Sequence, residues 1–135
     1  MNLESQGRRK KLGIKRFINS FKYSFDGLAY AIKNEQSILI MVIFLITVIL
    51  GGWFFNITLL EWFFILFAIG LVLGTELLNT SIEATIDLIS PKIHPLAKIA
   101  KDTASASVFV YSTIAFIIGC LIFVPKIIEW IGRMQ

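Results

Sequence analysis

Glu76, Asn79, Glu83 and Asp87 follow one another at offsets of 0, +3, +7 and +11. On a helix that spacing gathers them within an arc of about 80°, a continuous polar stripe. Beyond Pro91 and Pro95 a second helical pattern presents Lys98, Lys101, Asp102 and Ser105 on a similarly narrow face, so lysines stand near acids. A further acid, Glu35, precedes a long apolar run. Such a set can hold Mg²⁺ and a polyphosphate, with one carboxylate left over as a base. Mg²⁺ takes oxygen ligands and keeps several waters, so one or two carboxylates plus phosphate oxygens suffice. Phosphoryl transfer is mostly positioning and charge stabilisation, which needs little beyond metal, cation and base. The plain alternative is glue: acid–lysine pairs that do nothing but hold helices together.

Other chemistries fit less well. Neither a Walker A sequence nor a GxGxxG is present, which excludes a P-loop or a protein-kinase fold. One histidine, His94, and one distant cysteine, Cys120, argue against zinc. A proton or ion pathway would continue its acids through the membrane, whereas here they stop at one end of an apolar stretch. Nothing in the pattern calls for nucleic acid.

The elements that must position these residues are set by composition. Of 135 residues 56% are hydrophobic and 16% charged, and the mean hydropathy is +0.77. A soluble domain is about 45–50% apolar and about 25% charged. A soluble globule is therefore excluded. So are disorder, with phenylalanine alone present 12 times, and a disulfide scaffold, with one cysteine. No charged residue lies between Glu35 and Glu61, or between Asp102 and Lys126. A membrane-spanning helix needs about 20 mostly apolar residues. The sequence predicts spans at about 37–55, 57–75 and 104–124 within a single domain covering 1–135. Gly51-Gly52 and the run 55–58 supply the break between the first two. The expected class is all-α and integral to the membrane.

Orientation follows from the basic residues. Arg8, Arg9, Lys10, Lys11, Lys15, Arg16, Lys22 and Lys33 precede the first span, and none lies between the first two spans. Lys92, Lys98 and Lys101 lie between the second and third spans, and Lys126 and Arg133 follow the third. The positive-inside rule then places the N-terminus and the polar stripe in the cytoplasm, with Trp53, Trp62 and Trp130 at the outer interface. The N-terminal stretch lacks the compact apolar core and cleavage site of a signal peptide. Over about 12–33 it is instead amphipathic: Ile14, Phe17, Ile18, Phe21, Phe25, Leu28 and Ile32 share one side, and Lys15, Asn19, Lys22, Asp26, Tyr30 and Lys33 the other. That pattern suits a helix lying on an anionic lipid surface, and packing against the bundle is the alternative.

The run ELLNTSIE at 76–83, then Asp87, then HPLAKIAKD at 94–102, closely resembles the signature of the small bacterial membrane lipid kinases, a family that includes diacylglycerol kinase and undecaprenol kinase. The resemblance extends over about 13–124 and takes in Arg16, Tyr23, Gly27 and Asn34-Glu35. It implies a homotrimer in the plasma membrane, with an N-terminal surface helix on each three-span subunit and active sites shared between neighbours. It implies Glu76 as catalytic base, Glu35 and Glu83 as ligands of Mg²⁺ with ATP, and Lys101 and Asp102 at the ATP phosphates. Lys92 and His94 then belong to the nucleotide-contacting loop, Arg16 and Tyr23 to nucleotide-contacting positions on the surface helix. Asn79 and Asp87 support the site, and Ser105 lies near the lipid. The stretches 85–101 and 117–126 look more like the undecaprenol branch than the diacylglycerol branch. The expected activity is phosphorylation of a membrane lipid alcohol, undecaprenol ahead of diacylglycerol. A non-enzymatic scaffold or pore is the reading from a different class.

Overall fold

The computed structural model describes residues 13–90 and 94–134. Arg8, Arg9, Lys10, Lys11, Leu12 and Lys92 lie outside the described residues. The chain forms four helices: α1 (Ile14–Asn34), α2 (Gln36–Phe54), α3 (Leu59–Ile89) and α4 (Pro95–Gly132). Among the described residues there is no strand. α2, α3 and α4 are each long and apolar enough to cross a membrane.

α1 is the amphipathic helix of the sequence pattern. Its apolar side, with Phe17, Phe21 and Phe25, is left uncovered by the rest of the chain, and only Ala31 in its last turns is buried. A helix of this kind does not owe its fold to packing on its own bundle. Glu35 ends α1 in an extended conformation, its N–H donating to the Ala31 carbonyl, and at the same time opens α2. One residue makes the corner.

α2 keeps Gly51 and Gly52 inside its final turn, so the break falls only at residues 55–58 and not at the glycine pair. The glycine at 52 answers a different need: a Cβ there would lie 2.6 Å from the Trp62 ring. Asn56 takes a left-handed φ of 49° in the turn, a conformation asparagine tolerates better than most residues. Thr58 then caps α3. Its hydroxyl accepts from the Glu61 N–H at 3.3 Å while the Glu61 carboxylate accepts from the Thr58 N–H at 2.6 Å. This reciprocal capping box stabilises the start of the helix by about 1 kcal/mol.

α3 and α4 run well past the apolar windows of the sequence. At 1.5 Å per residue α3 is about 46 Å long and α4 about 57 Å, against about 30 Å of hydrocarbon. The excess carries the polar stripe of α3 and the lysines of α4 on one continuous helix pair. These two helices pack along each other most extensively, while α2 meets α3 far more sparsely. The packed core is small: Ile57, Ile65 and Ile122, flanked by Val48, Phe55, Trp62 and Phe123, all toward the α2–α3 turn. Trp130 meets Phe54 edge-on at the same end, with ring centroids 5.8 Å apart. Most large apolar side chains, including Phe44, Phe63, Phe67, Phe109 and Phe116, stay exposed. A soluble monomer rarely shows apolar surface on this scale, so lipid or further protein covers it. Between α2 and the α3–α4 pair lies an apolar groove of about 460 Å³ lined by Met41, Phe44, Val72, Leu73, Ala115 and Gly119, among others.

Candidate active site

One face of α3 is buried at Ile65, Ala68, Val72, Glu76 and Thr80, a spacing of three and then four residues that continues in register from apolar to polar. Glu76 therefore occupies a position that the helix would otherwise fill with an apolar side chain, and it is only 5% exposed. Its carboxylate accepts a hydrogen bond from the Ser37 hydroxyl in the first turn of α2. Among the described residues no lysine or arginine pairs with it. A buried carboxylate without a cation is costly.

One turn further along, Asn79 donates its Nδ2–H to Glu83 Oε1 at 3.2 Å. Its Oδ1 is buried with no hydrogen-bond partner among the described residues, and so is the hydroxyl of Thr80. Glu83 is half-buried and also has no ion-pair partner among them. Glu35 is half-buried at the α1–α2 corner, two residues before Ser37, and its side chain does not cap α2.

The outer members of the stripe behave differently. Asp87 pairs with Lys101 across α3 and α4, and Lys98 pairs with Asp102 one turn along α4. Among the described residues Asp87 is tied across helices, while Glu76, Glu83 and Glu35 have no ion-pair partner. Exposed pairs of this kind contribute about 0–1 kcal/mol. A polyphosphate can draw Lys98 and Lys101 away from them at little cost. His94 is the N-cap of α4, its Nδ1 accepting from the Leu96 N–H at 3.2 Å, with Pro95 in the first helical turn. Ser105 is exposed on α4. Arg16 and Tyr23, two helical turns apart, are exposed on α1. Glu76, Asn79 and Glu83 thus stand together on α3 with Ser37 of α2, and Asp87 meets Lys101.

Among the described residues no three of His, Cys, Asp or Glu come together as a metal cage. Mg²⁺ carried in on a polyphosphate needs only one or two protein carboxylates. The unsatisfied Asn79 Oδ1 beside Glu83 is an acceptor of the right kind for the ion or its water shell.

The sequence pattern missed Ser37. The signal was present but small: Ser37 is the last polar residue before an apolar run that lasts until Thr47.

The sequence model of the family described as prokaryotic diacylglycerol kinase matches residues 22–123. The chain is 38% identical over 125 residues to an undecaprenol kinase of Bacillus subtilis, covering 93% of this chain and 100% of the relative. It is 36% identical over 121 residues to a diacylglycerol kinase of Haemophilus influenzae, covering 84% of this chain and 98% of the relative. A diacylglycerol kinase of Escherichia coli is 32% identical over 111 residues, covering 82% of this chain and 90% of the relative.

Proposed function

The chain belongs to the prokaryotic diacylglycerol kinase family of membrane lipid kinases, and from that premise we propose that it moves the γ-phosphoryl group of MgATP to undecaprenol, with Glu76 as the general base. The observation that carries this reading is the placement of Glu76: buried, without a cation among the described residues, and in register with the apolar face of α3. A base in that position meets an alcohol that arrives from within the bilayer. The apolar groove begins one turn from Glu76 and Ser37, at Leu73 and Met41, and gives the hydrocarbon tail of such an alcohol a place to lie.

In the reaction the acceptor hydroxyl gives its proton to Glu76 as its oxygen attacks the γ-phosphorus, and ADP leaves on the opposite side. Lys101 and Lys98 turn from Asp87 and Asp102 to the phosphates, with Asp102 ordering them. Glu35 and Glu83 would hold Mg²⁺, helped by Asn79. When bound, the ion would supply positive charge against the phosphates. His94 fixes the start of α4 and so the height of Lys98 and Lys101. Arg16 and Tyr23, with Lys92, serve the nucleotide, Asp87 holds Lys101 in place until the phosphates take it, and Ser105 faces the lipid side.

The site faces the cytoplasm, where ATP is, and α1 lies on the anionic lipid surface with its basic side outward. The uncovered faces of α2 and α4 and the loose seating of α2 support assembly with further copies, a homotrimer in this family, in which neighbours complete the nucleotide side of each site. Undecaprenol is favoured because the relative that aligns over its full length bears that name. Diacylglycerol is the second reading, on the strength of the other relatives and the family description. Purified protein in lipid micelles, given labelled ATP and equal amounts of both alcohols, should label undecaprenol first. Label in diacylglycerol alone would reverse the choice of acceptor, and label in neither would remove the proposed reaction.

A further inference from the structure

Several helical hydroxyls in this chain share one local bond, and Ser37 makes a different one. Ser20, Thr47, Thr75, Thr85, Thr103 and Thr113 all donate back to the carbonyl four residues earlier on their own helix. That is the ordinary fate of Ser and Thr inside a helix. Ser37 donates instead to Glu76, 39 residues away on another helix. The reason is the corner at Glu35. Its extended conformation ends α1 there, so the carbonyls three and four residues before Ser37 belong to α1 and not to its own helix. The corner releases the hydroxyl from the usual local bond and leaves it free to cross to α3.

We propose that Ser37 is a positioning residue for Glu76, holding one carboxylate oxygen so that the other is turned toward the acceptor hydroxyl. The proposal rests on Glu76 being the base. Glu76 is the residue on the buried face of α3 with the most to gain from such a hold. Its long side chain has several free torsions, and Ser37 is its one hydrogen-bond donor among the described residues. With Oε1 engaged, the proton of the incoming alcohol goes to Oε2. Ser37 itself neither gains nor loses a proton over the cycle, since its hydrogen bond is present before and after transfer. The serine side chain is short, so the height of its hydroxyl is fixed by the α1–α2 corner. The corner residue Glu35, assigned above to the metal, thereby shares one turn of backbone with the group that aims the base.

The experiment compares Ser37→Ala, Ser37→Thr and Glu76→Gln in purified protein, with kcat and KM measured for MgATP and for lipid alcohol, and the assembly state checked for each. A hydrogen bond to a buried carboxylate, and the aim it gives, are worth a fall in kcat of about ten- to a hundredfold in Ser37→Ala. KM for MgATP should be unchanged, and Ser37→Thr, which keeps the donor, should recover most of the loss. Ser37→Ala with wild-type kcat beside a collapsed Glu76→Gln would overturn the positioning role and leave the base in place. So would a Ser37→Ala defect that appears as a raised KM for MgATP, or one that Ser37→Thr shares in full. A Glu76→Gln protein that keeps its kcat would remove the base, and the positioning role with it.

Discussion

Two of the glutamates of α3, Glu61 in its first turn and Glu76 at mid-helix, have opposite surroundings. Glu61, in its first turn, is fully engaged: it closes the capping box with Thr58 and pairs with Lys126 of α4 at 3.2 Å. Around it Trp62 sits on Gly52, and Ile57, Ile65 and Ile122 form the packed core. Glu76, four turns on, is more deeply buried than Glu61, with one serine hydroxyl and no cation among the described residues. Beside it Asn79 Oδ1 and the Thr80 hydroxyl have no partner among the described residues. The same residue type on the same helix is satisfied in the first turn and held open at mid-helix. An acid that stabilises a fold is surrounded by its partners. An acid that is to receive a proton must keep a lone pair free, and the protein bears the cost of burying it.

The sharpest way to break this comparison is to remove each charge in turn. Glu76→Gln should lower kcat by about 10²–10⁴-fold, the usual contribution of a general base, while MgATP still binds. Ligand binding by calorimetry and turnover by labelled ATP would separate the two effects. A Glu76→Gln protein that loses MgATP binding would move Glu76 from the base to the metal.

A smaller effect sharpens the division inside the open region itself. Glu83→Gln and Glu35→Gln should raise KM for MgATP by about ten- to a hundredfold, with part of the loss recovered at high Mg²⁺ and kcat at saturation little changed. Titration of activity against Mg²⁺ checks this. A defect insensitive to Mg²⁺ would leave the two acids without a metal role.

The smallest effect belongs to the closed region. Glu61→Ala removes half of the capping box and the Lys126 pair, and should cost about 1–2 kcal/mol of stability with kcat unchanged. Thermal unfolding in micelles reads the first and the lipid assay the second. A Glu61→Ala protein that is stable but slow would mean that both regions of α3 serve the reaction.

The sequence by itself determined the helical class, the three apolar spans, the amphipathic first helix and the stripe of Glu76, Asn79, Glu83 and Asp87. These are properties of one chain segment at a time: apolar length and 3.6-residue periodicity are written locally. The family signature from Glu76 to Asp102 is equally local and was legible as a string. Only the tertiary structure decided which acid is tied down and which is left open. Lys101 goes to Asp87 and not to Glu76, a choice set by how α3 and α4 lie against each other. Gly51 and Gly52 look like a break but stay helical, because the apolar helix continues through them and Trp62 needs the space a side chain would fill. Ser37 reaches Glu76 only because a one-residue corner frees its hydroxyl and the turn at 55–58 brings α3 back beside α2. No spacing within either segment encodes that meeting: a hydrogen bond between residues 39 apart in the chain depends on how whole helices are placed.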